Sequence, residues 1–179
     1  RQYGRGGVRE TALPADIDRQ KPRQRRFPYA PAAILTGRTR AFFKIQDGCD
    51  AFCSYCIVPF ARGPSRSLPL SGVLDGARNF ITQGFREIVL TGIHLGDYGR
   101  DLKPATSLTS ALVGLLSQNP TARFRLSSIE PNEISDELLA LSGHYRNLCP
   151  HLHIPLQSGD DDILKSMKRR YDTAFYRDL

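Results

Sequence analysis

Residues 44–56 read KIQDGCDAFCSYC and contain three of the four cysteines in the chain. Cys49, Cys53 and Cys56 are separated by three and then two residues, directly after the apolar run AFFKI at 41–45. Three thiolates on one short loop can bind three irons of a cubane [4Fe–4S] cluster, whose usual complement is four cysteines. The fourth iron is then open to a small molecule, which is typical of an enzyme site rather than of a sealed electron carrier.

Other uses of these thiols fit the spacing less well. A zinc site needs a fourth nitrogen or sulfur ligand at compatible spacing, whereas Cys149 and the four histidines are scattered along the chain. The bacterial ferredoxin run is C-x2-C-x2-C-x3-C, which differs from this one. Three cysteines on one loop are a poor disulfide framework. We expect Cys149, before Pro150, to be a small buried hydrophobe.

The charge of the chain is concentrated in its first forty residues. Residues 1–40 hold ten basic and three acidic side chains, a balance of +7 that equals the net charge of all 179 residues. Because they also lack sustained periodicity and are rich in Gly and Pro, we interpret 1–40 as a basic interdomain linker and 41–179 as the folded core. Such a segment either contacts RNA phosphates, with release of counterions, or is merely solvated, and charge alone leaves both open.

Composition limits the class of protein. With 40% hydrophobic and 24% charged residues, the chain is expected to form one globular domain plus an appendage. It has no apolar run of membrane-spanning length and no signal segment. Thiols intended for a cluster indicate a reducing compartment, so we predict a cytoplasmic protein with no membrane and no DNA partner. The first residue is Arg rather than Met, and we expect a fragment.

Apolar periodicity predicts alternating strands and helices. The predicted strands cover 41–45, 87–93, 123–129 and 151–156, and the predicted helices cover 70–83, 108–116, 132–141 and 160–170. Regular alternation of this kind indicates an α/β fold with a parallel sheet and right-handed crossovers. Ligands of such sheets bind at the carboxyl ends of the strands, where the cysteine loop and the other motifs lie.

Three longer runs occur in a fixed order: KIQDGCDAFCSYCIVPFARGPSRS at 44–67, LTGIHLGDYG at 90–99 and HLHIPLQSG at 151–159. The C-x3-C-x-aromatic-C spacing resembles the radical S-adenosylmethionine (SAM) superfamily, and the three runs together resemble its methylthiotransferases over about residues 36–179. The pieces QDGCD at 46–50 and FARG at 60–63 look most like the tRNA enzymes that act on threonylcarbamoyladenosine. Enzymes acting on isopentenyl-adenosine in tRNA, or on a ribosomal-protein aspartate, are similar relatives.

This resemblance implies a fold, an activity and partners. The fold is a partial (β/α)6 barrel, truncated here at its C-terminus. The activity is the addition of a 2-methylthio group to N6-threonylcarbamoyladenosine next to the anticodon of tRNA, with a [4Fe–4S] cluster and SAM as cofactors and an unidentified electron donor. An N-terminal domain with a second [4Fe–4S] cluster and a C-terminal RNA-binding domain are expected outside this chain. The fragment alone is therefore not expected to complete the reaction, and a non-catalytic metal- or RNA-binding module is the competing hypothesis.

The resemblance also assigns candidate cofactor contacts. It places Tyr55 and Gly92 where SAM is expected. Ser128, Glu130 and Gln157 are added because they place polar groups at the carboxyl ends of predicted strands. The alternative roles are packing of the loop for Tyr55, a strand-end turn for Gly92, and helix capping for Glu130.

Two arginines follow the cysteine loop, where substrate is expected to enter. Arg62 and Arg66 can hold RNA or SAM through a phosphate or carboxylate, or can order the loop through a structural salt bridge. We expect His94, on the same rim, to hydrogen-bond a neighbouring loop rather than to act in catalysis.

Overall fold

The computed structural model describes Phe27 and residues 39–179, so the predicted basic linker lies almost wholly outside the described residues. Within them, no helix has both the length and the apolar character needed to cross a membrane. Two short 3-10 helices cover Leu95–Asp97 and Pro131–Glu133. The other elements are β1 (Arg40–Lys44), β2 (Gln46–Asp47), α1 (Val58–Arg62), β3 (Arg66–Ser67), α2 (Leu70–Thr82), β4 (Glu87–Thr91), α3 (Leu108–Gln118), β5 (Arg123–Leu126), α4 (Asp136–His144), α5 (Asp161–Ser166) and α6 (Thr173–Asp178).

The main sheet is parallel, as the alternation predicts. Its strand order is β1-β4-β5, with β4 in the middle. In β1, Ala41 and Phe43 are 3% exposed whereas Phe42 is 53% exposed, so one face of this strand packs on the core and the other is open. The α/β class is therefore confirmed. A second, antiparallel pair joins β2 to β3 and flanks the cysteine loop.

The first two predicted helices form nearly as expected. The helix predicted over 70–83 is α2, and the one predicted over 108–116 is α3, which ends two residues later. The buried face of α2 includes Val73, Ala77 and Phe80, at the spacing that brings side chains to one side of a helix. The start of α3 is fixed by Ser107, whose side chain accepts a hydrogen bond from the backbone of Ser110.

The two later helices differ from their predicted bounds. The helix predicted over 132–141 begins only at Asp136, because Ser135 caps it by accepting a bond from the backbone of Leu138. The helix predicted over 160–170 ends at Ser166, and Lys168 adopts a left-handed conformation with φ of 58°. The basic residues 168–170 therefore lie beyond the helix and are not its last turn, contrary to the prediction.

The prediction of a fourth strand over 151–156 is wrong. This segment makes only an isolated parallel bridge, between His153 and Ser128, and another bridge joins Leu148 to Phe124. Pro150 and Pro155 have no backbone N–H to donate, which prevents a continuous ladder. The segment thus follows the edge of β5 without extended pairing, and the partial (β/α)6 barrel stays a prediction.

A buried glutamine joins the loops at the carboxyl end of the sheet. Gln46 is fully buried, and its Nε2 donates to the carbonyl of Gly48 at 2.8 Å and to Ser65 Oγ at 2.9 Å. Its Oε1 accepts the backbone N–H of His94 at 2.8 Å. A Cβ on Gly92 would lie 2.8 Å from this Oε1, so the glycine leaves room for the glutamine. One amide therefore connects the start of the cysteine loop to the turn after β4.

Gly76→Ala tests the packing of α2 on β1. A Cβ at this position would lie 2.3 Å from Cζ of the buried Phe43 ring, so the ring would have to shift within the core. We expect the free energy of unfolding, measured by urea denaturation, to fall by about 1–3 kcal/mol. Gly143→Ala, in α4, is the matched control: apart from the adjacent residues and the backbone of its own helix, no atom of the described residues lies within 4 Å of its Cβ, and we expect a gain of up to about 1 kcal/mol. Equal stability of the two variants would contradict this packing.

Gln46→Leu tests the junction between the loops. The change leaves Gly48 O, Ser65 Oγ and the His94 N–H without the glutamine, and an unsatisfied buried polar group costs about 1–3 kcal/mol. We expect a loss of at least about 2 kcal/mol in the free energy of unfolding, with reduced iron incorporation in anaerobic reconstitution. Gln118→Leu, on the exposed end of α3, should change stability by less than about 0.5 kcal/mol. Full iron content in Gln46→Leu would argue against the junction.

Candidate metal centre

The three cysteines of the predicted cluster lie on one loop between β2 and α1. Cys49, Cys53 and Cys56 are all free thiols of intermediate exposure. The backbone N–H of Cys56 donates to the carbonyl of Cys53 at 3.0 Å, which makes a tight turn. Phe52 has a φ of 49°, in the left-handed region that is uncommon for non-glycine residues. The loop is therefore sharply folded, with its sulfurs partly accessible.

Hydrogen-bond donors point at two of the sulfurs. Cys49 Sγ lies 3.4 Å from the backbone nitrogen of Ala51 and 3.6 Å from His94 Nδ1. Cys53 Sγ accepts from Arg169 Nη1 at 3.2 Å. Donors of this kind stabilise thiolates, the form that binds metal. Three free, partly accessible thiols with N–H donors beside them fit a cubane cluster held by three cysteines.

Residues 166–171, called here the closing segment, are bonded to the cysteine loop. Ser54 Oγ donates to the carbonyl of Ser166 at 2.8 Å, and Ser54 N donates to the carbonyl of Met167 at 3.3 Å. Tyr171 is 8% exposed, and its hydroxyl lies 3.1 Å from the carbonyl of Pro155 and 3.0 Å from that of Leu156. The closing segment therefore links the loop to the edge of the sheet.

Arg169 is a site residue that the sequence reasoning missed. Its side chain is 5% exposed, and its Nη2 pairs with Glu130 Oε2 at the end of β5. Burial lowers the pKa of Arg169, but the hydrogen bonds to Glu130, Tyr171 and Cys53, together with the charge of Glu130, outweigh it and raise that pKa, so the guanidinium remains charged. Glu130 also directly precedes the 3-10 helix at Pro131–Glu133, which agrees with the alternative that it caps a helix. The same side chain pairs with Arg169. Lys168, directly before Arg169, has a left-handed backbone conformation, and the spacing of residues in the sequence does not predict this turn.

His94 is held by two carboxylates. Its Nδ1 lies 2.9 Å from Asp97 Oδ2, and its Nε2 lies 2.5 Å from Glu133 Oε1. Burial lowers the pKa of His94, but hydrogen bonds to Asp97, Cys49 and Glu133 outweigh it and raise that pKa to about 12. The same hydrogen bond from His94 lowers the pKa of Asp97. The expected hydrogen bonding of His94 to neighbouring loops is therefore confirmed.

Two cavities open beside these residues. One is lined by Cys53, His94, Glu130 and Arg169, among others. The other has a volume of about 290 Å³. Its lining carries charges of both signs: Asp50, Asp97, Asp101, Arg100 and Arg170, with Ala51, Ser65 and His94. The cavities share lining residues at 51, 94, 100 and 170, so they form a single polar region next to the cysteine loop.

The remaining predicted cofactor contacts, Tyr55, Ser128 and Gln157, are exposed. Tyr55 is 55% exposed; burial raises its pKa, which the nearby Arg169 opposes. Ser128 is exposed and its Oγ lies 2.7 Å from His153 Nδ1. Gln157 is exposed, with a left-handed φ of 69°. The structure thus brings Glu130 next to Cys53, and SAM contacts by Tyr55, Gly92, Ser128 and Gln157 stay predictions.

The two predicted substrate arginines surround a buried acid. Arg62 Nη1 and Arg66 Nη2 each lie 3.8 Å from Asp47 Oδ2, and Lys44 Nζ lies 3.1 Å from the same atom. Asp47 is 1% exposed and Arg66 is 6% exposed, which favours the salt-bridge alternative for Arg66. The side chain of Arg62 is 57% exposed, and its contact with substrate stays a prediction.

Two solved structures resemble this chain in fold. The radical SAM methyltransferase TsrM from Kitasatospora setae, with tryptophan substrate and a SAM analogue bound, superposes with a TM-score of 0.63 at 15% identity, over 78% of this chain and 27% of TsrM. The cobalamin-dependent SAM radical enzyme OxsB, with aqua-cobalamin and SAM bound, gives a TM-score of 0.59 at 13% identity, over 75% of this chain and 21% of OxsB. At these identities the likeness concerns the fold alone.

Curated relatives are more similar in sequence. The threonylcarbamoyladenosine tRNA methylthiotransferase MtaB of Rickettsia prowazekii (strain Madrid E) is 42% identical over 139 residues, covering 77% of this chain and 33% of that enzyme. MtaB of Bacillus subtilis (strain 168) is 43% identical over 149 residues, covering 80% and 32%. The tRNA-2-methylthio-N(6)-dimethylallyladenosine synthase of Oleidesulfovibrio alaskensis (strain G20) is 39% identical over 156 residues, covering 86% and 34%. The chain spans about a third of the length of these relatives.

The family is established by the folded part of the chain. Residues 43–179, which include the whole cysteine loop and the closing segment, match the Radical SAM superfamily. The parallel sheet and the three free thiols on one loop agree with this match. The chain belongs to the radical SAM superfamily.

Proposed function

We propose that the intact protein is a radical SAM methylthiotransferase that adds a 2-methylthio group to N6-threonylcarbamoyladenosine next to the anticodon of tRNA. The observation that carries this proposal is the loop of three free thiols in a chain 40–43% identical to four threonylcarbamoyladenosine tRNA methylthiotransferases. The partners are tRNA and an electron donor. A second [4Fe–4S] cluster in an N-terminal domain outside this chain, and RNA binding by the basic residues 1–40, belong to the same proposal.

Cys49, Cys53 and Cys56 would hold the cluster in this proposal. When bound, the cluster supplies the electron that cleaves SAM to methionine and a 5′-deoxyadenosyl radical. The residues of the chain bind and orient the groups. The N–H groups of Ala51 and Arg169 donate to ligand sulfurs.

The pair of Arg169 and Glu130 suits the amino acid end of SAM. Both line the cavity that also contains Cys53, so a guanidinium and a carboxylate lie beside one cluster ligand. A guanidinium binds a carboxylate through two parallel bonds, and a carboxylate accepts from an ammonium group. We therefore assign Arg169 to the SAM carboxylate and Glu130 to the SAM ammonium.

The charged lining of the 290 Å³ cavity favours threonylcarbamoyladenosine as the substrate. A threonylcarbamoyl group carries a carboxylate and a hydroxyl, whereas a dimethylallyl group is wholly apolar. Arg100 and Arg170 can bind the carboxylate, and among the described residues that line this cavity Ala51 is the one apolar side chain. Dimethylallyladenosine in tRNA remains the second candidate, since the relatives that make its methylthio derivative are 35–39% identical to the chain.

Analysis of tRNA nucleosides tests the proposed reaction. A strain without the gene should lack 2-methylthio-N6-threonylcarbamoyladenosine by mass spectrometry, and the intact gene should restore it. The Cys49→Ala, Cys53→Ala, Cys56→Ala triple variant should restore none, whereas Cys149→Ala, which leaves the loop untouched, should restore it. Loss of the dimethylallyl derivative instead would overturn the substrate assignment, and unchanged methylthiolation of both nucleosides would overturn the activity.

Arg169→Gln tests the assignment of the SAM carboxylate. We expect the anaerobically reconstituted intact protein to bind SAM about 10- to 100-fold more weakly in equilibrium dialysis, because a charged hydrogen bond contributes about 1.5–3 kcal/mol. Arg78→Gln is the control, since its side chain is 63% exposed on α2 and pairs with Asp75. Iron content should be measured for both. Wild-type SAM affinity in a fully loaded Arg169→Gln protein would rule out this contact.

A further inference from the structure

His94 is the charged side chain beside the cluster ligands that the proposed chemistry does not use. It follows β4 in the turn that Gln46 fixes, and its side chain is 12% exposed. Its Nδ1 lies 3.6 Å from Cys49 Sγ. The ring therefore contacts one sulfur that is expected to bind iron, whereas Arg169 contacts another, that of Cys53.

The ring of His94 cannot turn away from this sulfur without breaking two ion pairs. Nε2 contacts Glu133 Oε1 at 2.5 Å and Nδ1 contacts Asp97 Oδ2 at 2.9 Å. A carboxylate oxygen is an acceptor only, so each ring nitrogen that faces one carries a hydrogen. The Nδ1–H consequently lies between two acceptors, the Asp97 carboxylate and the Cys49 sulfur. Both acids are themselves buried, with side chains 10% and 5% exposed, which restrains them as well.

We propose that His94 is a positioning residue for the cluster, whose Nδ1–H is shared between Asp97 and the Cys49 thiolate and stabilises the reduced form of the cluster. Hydrogen bonds to cluster sulfurs are one of the factors that set the reduction potential of an iron–sulfur centre. An N–H donor interacts more strongly with sulfur as the cluster gains negative charge. The donor therefore raises the reduction potential, and Asp97 limits this effect by competing for the same hydrogen.

This inference rests on cluster binding by the three cysteines and not on the choice of nucleoside. A purely structural role is the competing explanation, because the two ion pairs also tie the turn after β4 to the 3-10 helix at Pro131–Glu133. A structural role predicts altered stability or iron content, without a directed change in potential. The two explanations therefore differ in whether the midpoint potential of a fully loaded cluster shifts in the expected direction.

The test uses two variants with opposite expected effects. In the reconstituted intact protein, His94→Asn should lower the midpoint potential of the cluster, measured by redox titration followed by electron paramagnetic resonance. Asp97→Ala should raise it, because the Nδ1–H is then donated to Cys49 alone. His144→Asn, which alters an exposed histidine of α4, should leave the potential unchanged. Iron and sulfide content are measured for each protein, so that only fully loaded samples are compared.

A spectroscopic measurement separates a direct contact from a general charge effect. Pulsed electron paramagnetic resonance on the reduced cluster, in protein labelled with ¹⁵N-histidine, should show a ¹⁵N coupling that is lost in His94→Asn and kept in His144→Asn. If His94→Asn fails to load a cluster, the upward shift in Asp97→Ala and the ¹⁵N coupling in the wild type still decide the question. Unchanged potentials, or no ¹⁵N coupling in the wild type, would overturn the inference. Absence of any [4Fe–4S] cluster in the wild type would instead overturn the proposed function.

Discussion

The buried amide of Gln46 is the constraint on which the arrangement of the site depends. A primary amide offers two donor hydrogens and one acceptor oxygen, and here they connect the backbone of Gly48, the hydroxyl of Ser65 and the backbone of His94. The missing Cβ of Gly92 makes the space for it. Glu at this position would lose both donors and bury a charge, and Leu would lose every bond. The direction in which the cysteine loop leaves β2 and the position of His94 are therefore set by one side chain.

The basic side chains near the cysteine loop lie close to one buried carboxylate, that of Asp47. Asp47 accepts the backbone N–H of Gly48 at 2.9 Å, and its other oxygen faces Lys44, Arg62 and Arg66. A buried carboxylate needs such compensation, because an unpaired charge in the interior is costly. Arg62 and Arg66, which the sequence offers as candidate substrate contacts, therefore both lie close to the carboxylate of Asp47 in the fold. The excess positive charge of residues 1–40 is not balanced by residues 41–179, which hold equal numbers of acidic and basic side chains.

Local patterns predicted the sheet, the first two helices and the cysteine loop, because each depends on spacing over a few residues. The fourth strand failed because Pro155 lies inside the predicted segment and Pro150 immediately precedes it, and neither can donate to a ladder. Glu130 was predicted from its place at a strand end, and that place is common to the whole fold class. Hydrogen bonding of His94 to a neighbouring loop was predicted, but its particular partners and the contacts of Arg169 were not. They depend on where separate loops meet, and Arg169 reaches a cysteine 116 positions away.

That separation has a consequence for the order in which the site is made. Ribosomes add about 5–20 residues per second, so Cys53 is synthesised on the order of ten seconds before Arg169. Ser54 likewise precedes its partner Ser166 by 112 positions. During this interval the thiolates lack the guanidinium donor and the cover of residues 166–171. A cluster inserted into the nascent chain would enter a loop that lacks these partners, whereas one inserted after residue 171 would enter a loop whose partners are already in place.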